Sequence, residues 1–322
     1  GLYASTELLS DALYSLFVEG IVKRPAGDDI DTVIHAGFFI GSNGLYEGLR
    51  NLPPEQRRLI DMTRISEVNT LFGDENRKRT QRRDARFINE TMMITLLGAA
   101  VSDALEDGRV VSGVGGQFDF VSMAQSLDDA MSILMCRARR QSKGKASSNI
   151  RWNYGHNTVP RHHRDVYVTE YGVAATRGCS DRDTIDRLLH VADAGFHNEL
   201  VAAAKASGKI EKAYAMAGDA SNNRPEVVRS VFDDYRDEFP AYPLGSDLTS
   251  DEQDLAEALE WLQSNTAGTG AKVKTVLQSI ANTQSSGERS RSALARMGLD
   301  ETKGIGEKIM KRMLNLALQR TR

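Results

Sequence analysis

The chain changes character near residue 210, and this change constrains the fold more than any single motif. Up to that point, strand-like apolar segments alternate with helix-like segments, which is typical of an α/β domain on a largely parallel sheet. Beyond it the strand signals vanish, while helical periodicity continues. We therefore predict an α/β domain over residues 1–210, with helices flanking the sheet, and a helical extension over residues 211–322.

The segments themselves can be placed from apolar periodicity and from helix start and stop signals. Strands are predicted over residues 2–4, 32–40, 87–97, 131–135 and 166–169. A first helix is predicted to begin at Ser5, with Thr6 as its N-cap and Glu7 in its first turn, and to end at Gly20. Later helices are predicted over residues 181–192, 196–206, 224–237, 250–264 and 301–319. The apolar stripe of the last helix predicts a core or oligomer contact.

Three glycines in four positions mark the segment Val111–Phe120. Glycine lets the backbone turn sharply and lets a ligand lie against the main chain. Successive N–H groups in such a turn can hold an anion or the oxyanion of an acyl-transfer intermediate, although a purely structural turn is equally compatible with the pattern. The segment lacks the Gly-Lys-Ser/Thr of a Walker loop and the third spaced glycine of a dinucleotide fingerprint.

Ligands of parallel sheets bind beyond the carboxyl ends of the strands. The glycine segment, Glu7 and Glu170 all fall at predicted strand ends or in the loops that follow them. These positions are therefore candidates for one site.

Composition limits the partners and the compartment. A formal net charge of −3 gives no reason to expect nucleic acid, and no apolar run approaches the roughly 20 residues that a membrane span needs. Two distant cysteines, Cys136 and Cys179, fit a reducing, cytoplasmic location without disulfides or metal. No signal peptide is expected in the residues that follow Gly1, because they show neither a basic region nor an apolar core of that kind. A homodimer is the default expectation for a soluble oligomer.

Other residue groups have two interpretations each. The basic segment 76–86 is interpreted as a solvated face or loop, with phosphate binding as the alternative. His162 and His163 are interpreted as loop residues, because neighbours on an extended chain point to opposite faces and cannot easily bind one metal. Cys179 paired with a histidine such as His190 or His197 would suit a cysteine thioesterase, an interpretation that we do not favour.

Six motifs occur in an order that is similar to the acetyl-CoA hydrolase/CoA-transferase family. They are Ser5–Asp11, Phe38–Ser42, Ile88-Asn89, Ser112–Phe120, Thr158–Arg161, and Val168–Ala174 with Arg177-Gly178. Residues 1–205 resemble the second of the two similar α/β domains of this family. The resemblance implies a CoA-transferase-like fold and, as a partner, a first N-terminal domain that this chain does not contain.

The resemblance also implies chemistry. Glu7 occupies the position of the family's nucleophile, and Gly116 occupies that of an N–H donor in the oxyanion hole. Asn89 and Glu170 match auxiliary active-site groups. The implied reaction moves coenzyme A from an acyl-CoA to a carboxylate acceptor, or to water, through a glutamyl-CoA thioester, with no metal.

Contacts to CoA are expected from the glycine segment and from the second basic segment, 137–145, for which a solvated loop is the alternative interpretation. The candidate CoA-binding residues are Gly113, Val114, Gly115, Gln117, Arg140, Lys143 and Lys145.

The chain departs from the family pattern at two places. Met93–Gly98 replaces a usual Glu-Val-Asp-Leu-Thr-Gly, and Ser126–Asp129 replaces a usual Ser-Lys-Gly-Gly. These changes leave acyl specificity open. The choice between transferase and hydrolase is open as well, because both use the same nucleophile. The two departures also keep open the alternative that the chain is a catalytically incomplete CoA-binding or structural half, which needs the N-terminal domain.

Overall fold

The computed structural model describes residues 1–142, 144–218, 220–235, 237–282 and 287–321. Contacts divide the chain into two compact units, Gly1–Arg140 with Ala146–Leu244, and Gln141–Lys145 with Gly245–Arg322. Residues 211–244 pack with the first unit, although the sequence places them in the helical extension. The reason is that Tyr214 is buried in the core of the first unit and Asn223 donates hydrogen bonds to the carbonyls of His190 and Ala192.

Twelve strands are described in the chain. They are β1 (Ala4–Leu9), β2 (Ile34–Phe39), β3 (Ile60–Met62), β4 (Arg86–Glu90), β5 (Met93–Thr95), β6 (Ala100–Val101), β7 (Met131–Met135), β8 (Arg139–Ser142), β9 (Lys145–Ser148), β10 (Ile150–Arg151), β11 (Val166–Thr169) and β12 (Gly172–Ala175). They form sheets in the orders β1-β2-β3, β10-β5-β6 and β12-β11-β7-β4, and a two-stranded β8-β9 sheet.

The helices of the first unit are α1 (Asp11–Val18), α2 (Asn43–Asn51), α3 (Pro54–Arg57), α4 (Ile65–Asn69), α5 (Glu75–Gln81), α6 (Gln117–Ser126), α7 (Asp181–His190), α8 (His197–Ala206) and α9 (Pro225–Asp233). Those of the second unit are α10 (Ser250–Asn265), α11 (Thr269–Ala281), α12 (Glu288–Arg296) and α13 (Ile305–Arg320).

The predicted α/β class is confirmed, because most strand pairs of the first unit run parallel. Parallel pairs join β1 to β2, β2 to β3, β5 to β10, and β7 to both β4 and β11. The antiparallel pairs place β6 beside β5 and β12 beside β11, each at the edge of its sheet. The strands are shared among several small sheets, whereas the sequence predicts one.

The start of the chain differs from the prediction. Residues 4–9, which include Glu7, form strand β1, and the helix begins only at Asp11, with Ser10 as its N-cap. The helical apolar period of residues 12–17 was read correctly, but its start was placed too early. Tertiary pairing explains the difference, because β1 is hydrogen-bonded along its length to β2 in a parallel register, from Ala4 with Ile34 to Leu9 with Phe39.

The apolar run 87–97 also differs, since it forms two strands in different sheets. β4 ends at Glu90 and β5 begins at Met93. Thr91 makes the change of sheet, because its N–H donates to the carbonyl of Met135 while its hydroxyl donates to the carbonyls of Met93 and Val101. Asn89 therefore lies near the end of a strand and not near its start.

The main core of the first unit packs α6, α7 and α8 against strands β5, β7, β10 and β11. Its fully buried residues include Ile94, Leu134, Ile150, Tyr167 and Leu188. A smaller core joins α6 to β4 through Phe87 and Phe120, whose rings stack with centroids 5.7 Å apart. These two cores fix the first turn of α6 relative to the carboxyl ends of β4 and β7.

The second unit is helical, as the sequence predicts, although α11 and α12 were not foreseen. Leu314, Ala317 and Leu318 of α13 pack against Leu255 and neighbouring apolar residues, so part of the predicted stripe forms a core. Met310 of that stripe is exposed. Within the described part of the chain, no helix has the length and apolar character needed to cross a membrane.

Candidate active site

The carboxylate of Glu7 lies directly against the glycine segment. Gly116 is the N-cap of α6, and a Cβ atom placed on it would overlap Glu7 Oε2. A Cβ on Gly115 would lie 3.5 Å from Glu7 Oε1, and Gly115 itself has φ +56°. The structure thus brings together Glu7 and Gly116, which the sequence predicts as nucleophile and oxyanion donor, and glycine at residue 116 is what permits the contact.

Asn69 is a member of this site that the sequence analysis missed. It is the last residue of α4 and is 5% exposed, and its Nδ2 donates a hydrogen bond of 3.0 Å to Glu7 Oε2. A Cβ on Gly116 would also overlap Asn69 Nδ2. No local pattern identifies this asparagine, since it ends a five-residue helix in a segment with no strand or glycine signal.

A second carboxylate, that of Asp119, lies near Glu7. Burial and the negative charge of Glu7 raise the pKa of Asp119, and a hydrogen bond from Asn69 opposes that rise. The amide of Asn69 therefore lies between two acidic side chains. Asp119 belongs to the first turn of α6, where the helix dipole favours a negative charge.

Asn89 and Glu170 share one edge of the four-stranded sheet. Strands β4, β7 and β11 run parallel, with Glu90 and Val168 both in register with Met135, so their carboxyl ends coincide. The Nδ2 of Asn89 is buried and has no hydrogen-bond partner within the described ranges. It is therefore a donor available to a ligand.

Glu170 has a fixed carboxylate, because its Oε2 accepts a hydrogen bond of 2.7 Å from the N–H of Ala138. Cys136 lies close by. Burial, followed by the charge of Glu170, raises the pKa of the Cys136 thiol to about 12, so this thiol stays protonated at neutral pH. Cys136 is therefore not a nucleophile near this edge.

Gln117 connects this edge to the glycine segment. Its side chain is buried, and its Nε2 donates a hydrogen bond of 2.7 Å to the carbonyl of Glu90. The sequence predicts a CoA contact for Gln117, whereas its amide nitrogen is used to hold the start of α6 beside Asn89. Glu7 thus contacts Gly116 directly, and Gly116 is connected to Asn89 through Gln117 and Glu90.

Asp103 anchors the other end of the glycine segment. Its carbonyl accepts hydrogen bonds from the N–H groups of Val111 and Ser112. Its carboxylate accepts hydrogen bonds from the Thr158 hydroxyl and from His156, which lower its pKa. Thr158, the first residue of the Thr-Val-Pro-Arg motif, thus acts on the glycine segment through Asp103.

The remaining predicted CoA-binding residues lie in two places. Gly113 and Val114 are exposed in the glycine segment, and no atom lies within 4 Å of a Cβ placed on Gly113. Arg140 lies in β8, and its Nε donates to the Ser147 hydroxyl. Lys145 is the exposed first residue of β9, and Lys143 lies outside the described residues.

The basic segment 76–86 is partly buried, which corrects its interpretation as a solvated face. Lys78 is 1% exposed, and its Nζ donates to the carbonyls of Ser66, Thr70 and Phe72. Arg82 is 4% exposed and donates to the carbonyls of Glu67 and Thr70. Both cations therefore bind the backbone around Asn69.

Neither alternative centre forms around the cysteine or the histidine pair. His190 and His197 direct ring nitrogens to backbone carbonyls, and neither contacts Cys179. The premise that His162 and His163 point to opposite faces of an extended chain is wrong, because Arg161–His163 forms a short 3-10 helix and the two rings lie 4.9 Å apart. The ring of His163 also packs edge-to-face with that of Phe118 in α6. In the part of the chain that the structure describes, no three His, Cys, Asp or Glu side chains form a group that could hold a metal ion.

The chain matches known proteins over the same region. The profile of the acetyl-CoA hydrolase/transferase C-terminal domain matches residues 41–204. The succinyl-CoA:cyclohexane-1-carboxylate CoA transferase of Geobacter metallireducens is 27% identical over 207 residues, which are 64% of this chain and 45% of that protein. The 4-hydroxybutyrate coenzyme A transferase of Clostridium kluyveri is 26% identical over 198 residues, which are 61% of this chain and 43% of that protein.

A solved structure is similar as well. RipA from Yersinia pestis superposes with a TM-score of 0.55 at 28% identity, over 65% of this chain and 45% of that one. The chain thus spans less than half the length of the curated relatives that it matches. The family profile nevertheless covers half of this chain, including Asn69, Asn89, Gly116 and Glu170. The chain therefore belongs to the acetyl-CoA hydrolase/transferase family, whose C-terminal domain it carries.

Proposed function

We propose that this chain provides the nucleophile of a CoA transfer reaction, in which CoA passes from an acyl-CoA to a carboxylate acceptor or to water through a thioester on Glu7. The observation that supports this proposal best is the contact of the Glu7 carboxylate with the main chain at Gly116. A carboxylate is a weak nucleophile in water, but attack on a thioester becomes feasible when the carboxylate is desolvated and held against the carbonyl.

The reaction proceeds by exchange of bonds without net proton transfer. A carboxylate oxygen of Glu7 attacks the acyl carbonyl, the C–S bond breaks, and the CoA thiolate leaves behind an acyl-glutamyl anhydride. The thiolate then attacks the glutamyl carbon Cδ and expels the acyl group as a carboxylate, which leaves a glutamyl-CoA thioester. An acceptor carboxylate reverses these steps and leaves as its CoA ester.

Water in place of the acceptor would make the protein a hydrolase, because it cleaves the same thioester. The names of the relatives favour a carboxylate acceptor, since they describe CoA transferases.

The surrounding residues have roles that follow from their positions. The N–H of Gly116 stabilises the oxyanion that forms when Glu7 attacks, an interaction worth about 3 kcal/mol in acyl transfer. Asn89 offers a buried amide N–H that has no partner among the described residues. The carboxylate of Glu170 accepts a hydrogen bond from the N–H of Ala138 and contributes an acidic group to the same sheet edge as Asn89.

CoA itself would lie along the exposed residues Gly113, Val114 and Gly115, where its thioester reaches Glu7. Arg140 is suited to a phosphate of CoA by its charge. The corresponding roles of Lys143 and Lys145 stay predictions from the sequence. Binding of the long CoA chain would supply the free energy that desolvates and positions Glu7.

The proposal is tested by the mass of the peptide that contains Glu7, after the full-length protein has been incubated with acetyl-CoA. We expect an adduct of the mass of CoA on Glu7. The adduct should be absent in Glu7→Ala and retained in the matched control Glu19→Ala, which removes an exposed glutamate of the same segment. Turnover of acetyl-CoA should fall by a factor on the order of 10³ or more in Glu7→Ala.

The same assay separates the remaining alternatives. Acceleration of acetyl-CoA consumption by an added carboxylate other than acetate, such as butyrate, with formation of the CoA ester of that carboxylate, identifies a transferase. Consumption that such a carboxylate does not accelerate identifies a hydrolase. No adduct on Glu7 in the full-length protein would contradict the proposal and favour a CoA-binding or structural half.

A further inference from the structure

We propose that Asn69 decides which oxygen of Glu7 reacts. Its amide holds Oε2 as a permanent carbonyl oxygen and leaves Oε1 as the oxygen that attacks the acyl group and later departs with it. The inference rests on the proposed function and adds a catalytic residue to it.

The two carboxylate oxygens of Glu7 have different surroundings. Oε2 accepts the 3.0 Å hydrogen bond from Asn69 Nδ2 and lies against Gly116. Oε1 faces Gly115 and accepts no side-chain or backbone hydrogen bond from the described residues. Oε2 is therefore held by Asn69, whereas Oε1 is available for attack on the side of the exposed glycine segment.

The orientation of the Asn69 amide follows from the charges around it. A rotation by half a turn would replace the N–H donors with Oδ1 and set that oxygen against the negative charge of Glu7. In the observed orientation Oδ1 is buried and has no hydrogen-bond partner within the residues described. Burial of Oδ1 without a hydrogen-bond partner costs free energy. The hydrogen bond from Nδ2 to the Glu7 carboxylate must therefore contribute more free energy than is lost at Oδ1.

The backbone that carries Asn69 is itself held by buried cations. Lys78 and Arg82 bind the carbonyls of Glu67 and Thr70 on either side of it, and Lys78 also pairs with the Glu67 carboxylate at 3.3 Å. These groups satisfy the free carbonyls at the carboxyl end of α4. Asn69 is therefore a donor on a rigid support, as an oxyanion donor must be.

The role of the held oxygen changes as the reaction proceeds. When the CoA thiolate attacks Cδ of the acyl-glutamyl anhydride, the C–S bond forms and the electron pair of the Cδ–Oε2 double bond moves onto Oε2. Collapse of this intermediate restores the double bond and breaks the Cδ–Oε1 bond, so Oε1 leaves within the product carboxylate. The Asn69 N–H thus stabilises the oxyanion of every step that occurs at Cδ, and Gly116 remains for the steps at the acyl carbon.

The test follows oxygen atoms. The full-length protein is incubated with acetyl-CoA and acetate that carries heavy oxygen at both positions, and the peptide containing Glu7 is weighed after many turnovers. Each cycle returns one acetate oxygen to Glu7 in the place of Oε1. If Asn69 pins Oε2, Glu7 gains one heavy oxygen and never a second.

Substitution of Asn69 should remove this selectivity. Asn69→Leu keeps the branching at Cγ without the donors, so the carboxylate can rotate between cycles and Glu7 should gain two heavy oxygens, with exchange slowed about a hundredfold. The matched control is Val68→Ala, which loosens the packing of the same helix at a fully buried residue and should keep the single label.

The outcomes separate the two proposals. Two heavy oxygens in the wild-type protein, or a single one in Asn69→Leu, would overturn the inference while supporting Glu7 as the nucleophile. No label on Glu7, either from the acetate or in a parallel incubation in water that carries heavy oxygen, would overturn the proposed function and the inference together. The wild-type result stands even where a variant fails to fold.

Discussion

Gly116 is the residue at which the site tolerates the least change. Its backbone angles are accessible to alanine, with φ −87° and ψ 9°, so a side chain there does not strain the main chain. The obstacle is the space, which Glu7 and Asn69 already occupy. A methyl group at this residue therefore tests the contact between nucleophile and loop without altering the loop itself.

We expect Gly116→Ala to lower kcat by about a hundredfold or more, because the methyl group displaces the Glu7 carboxylate from the N–H donors. The matched control is Gly27→Ala, at an exposed glycine outside the site, whose added Cβ meets nothing within 4 Å. Steady-state kinetics with acetyl-CoA measures both variants. Equal activities would show that the contact between Gly116 and Glu7 does not serve the reaction.

At this scale the sequence predicted some residues and missed others for physical reasons. Glu7, Asn89, Gly116 and Glu170 lie within motifs and could be proposed from them. Asn69 could not, because its importance comes from a contact with a strand 62 residues earlier in the chain. The burial of Lys78 and Arg82 was not predicted either. A basic run in the sequence does not show that carbonyls at the end of a neighbouring helix need hydrogen-bond donors.

Among the elements, the helix pair α4 and α5 is joined by buried cations. Lys78 lies in α5, and Arg82 follows the end of that helix. Both donate hydrogen bonds to carbonyls in and just after α4, which have no partner within the helix. Strand β1, in contrast, was misread as a helix start, because a local Ser/Thr/Glu pattern favours an N-cap while pairing with β2 decides the outcome. Elements such as β7 and β11 were predicted correctly, since most of their residues are apolar or strand-forming.

We expect Lys78→Met to reduce the free energy of unfolding by about 3 kcal/mol, because it leaves Glu67 and several carbonyls without their buried partner. Denaturant titration measures this loss. Arg83→Met is the matched control, since Arg83 is exposed and its loss should change stability by less than about 0.5 kcal/mol. Similar small losses in both variants would mean that the α4 carbonyls are satisfied by water.

For the whole molecule, the division into two compact units predicts that damage to one core stays local. The helices of the second unit are held by a core of their own, in which Leu314 is 2% exposed. The α/β class and the helical tail were both predictable, because periodicity is a property of long segments. The packing of residues 211–244 with the first unit could not be predicted, because it depends on the burial of Tyr214 in the core of that unit.

We expect Leu314→Ala to destabilise the second unit by about 3 kcal/mol, through the cavity that it leaves. Hydrogen exchange should become faster in α10 and α13 and stay unchanged in β7 and β11. Met310→Ala, at an exposed residue of the same helix, should leave hydrogen exchange unchanged in both pairs of elements, α10 with α13 and β7 with β11. Faster exchange throughout the chain would show that the two units unfold together.

The anchoring of the glycine segment by Asp103 has a consequence for the order in which the protein is made. Val111 and Ser112 are bound to Asp103, but the side chain of Asp103 is held by His156 and Thr158, which are synthesised more than 50 residues later. A chain emerging from the ribosome therefore carries the glycines well before the Asp103 side chain that anchors them has its partners. The loop against which Glu7 lies is fully anchored only after Thr158 has been synthesised, and we expect a shorter nascent chain to lack the ordered site.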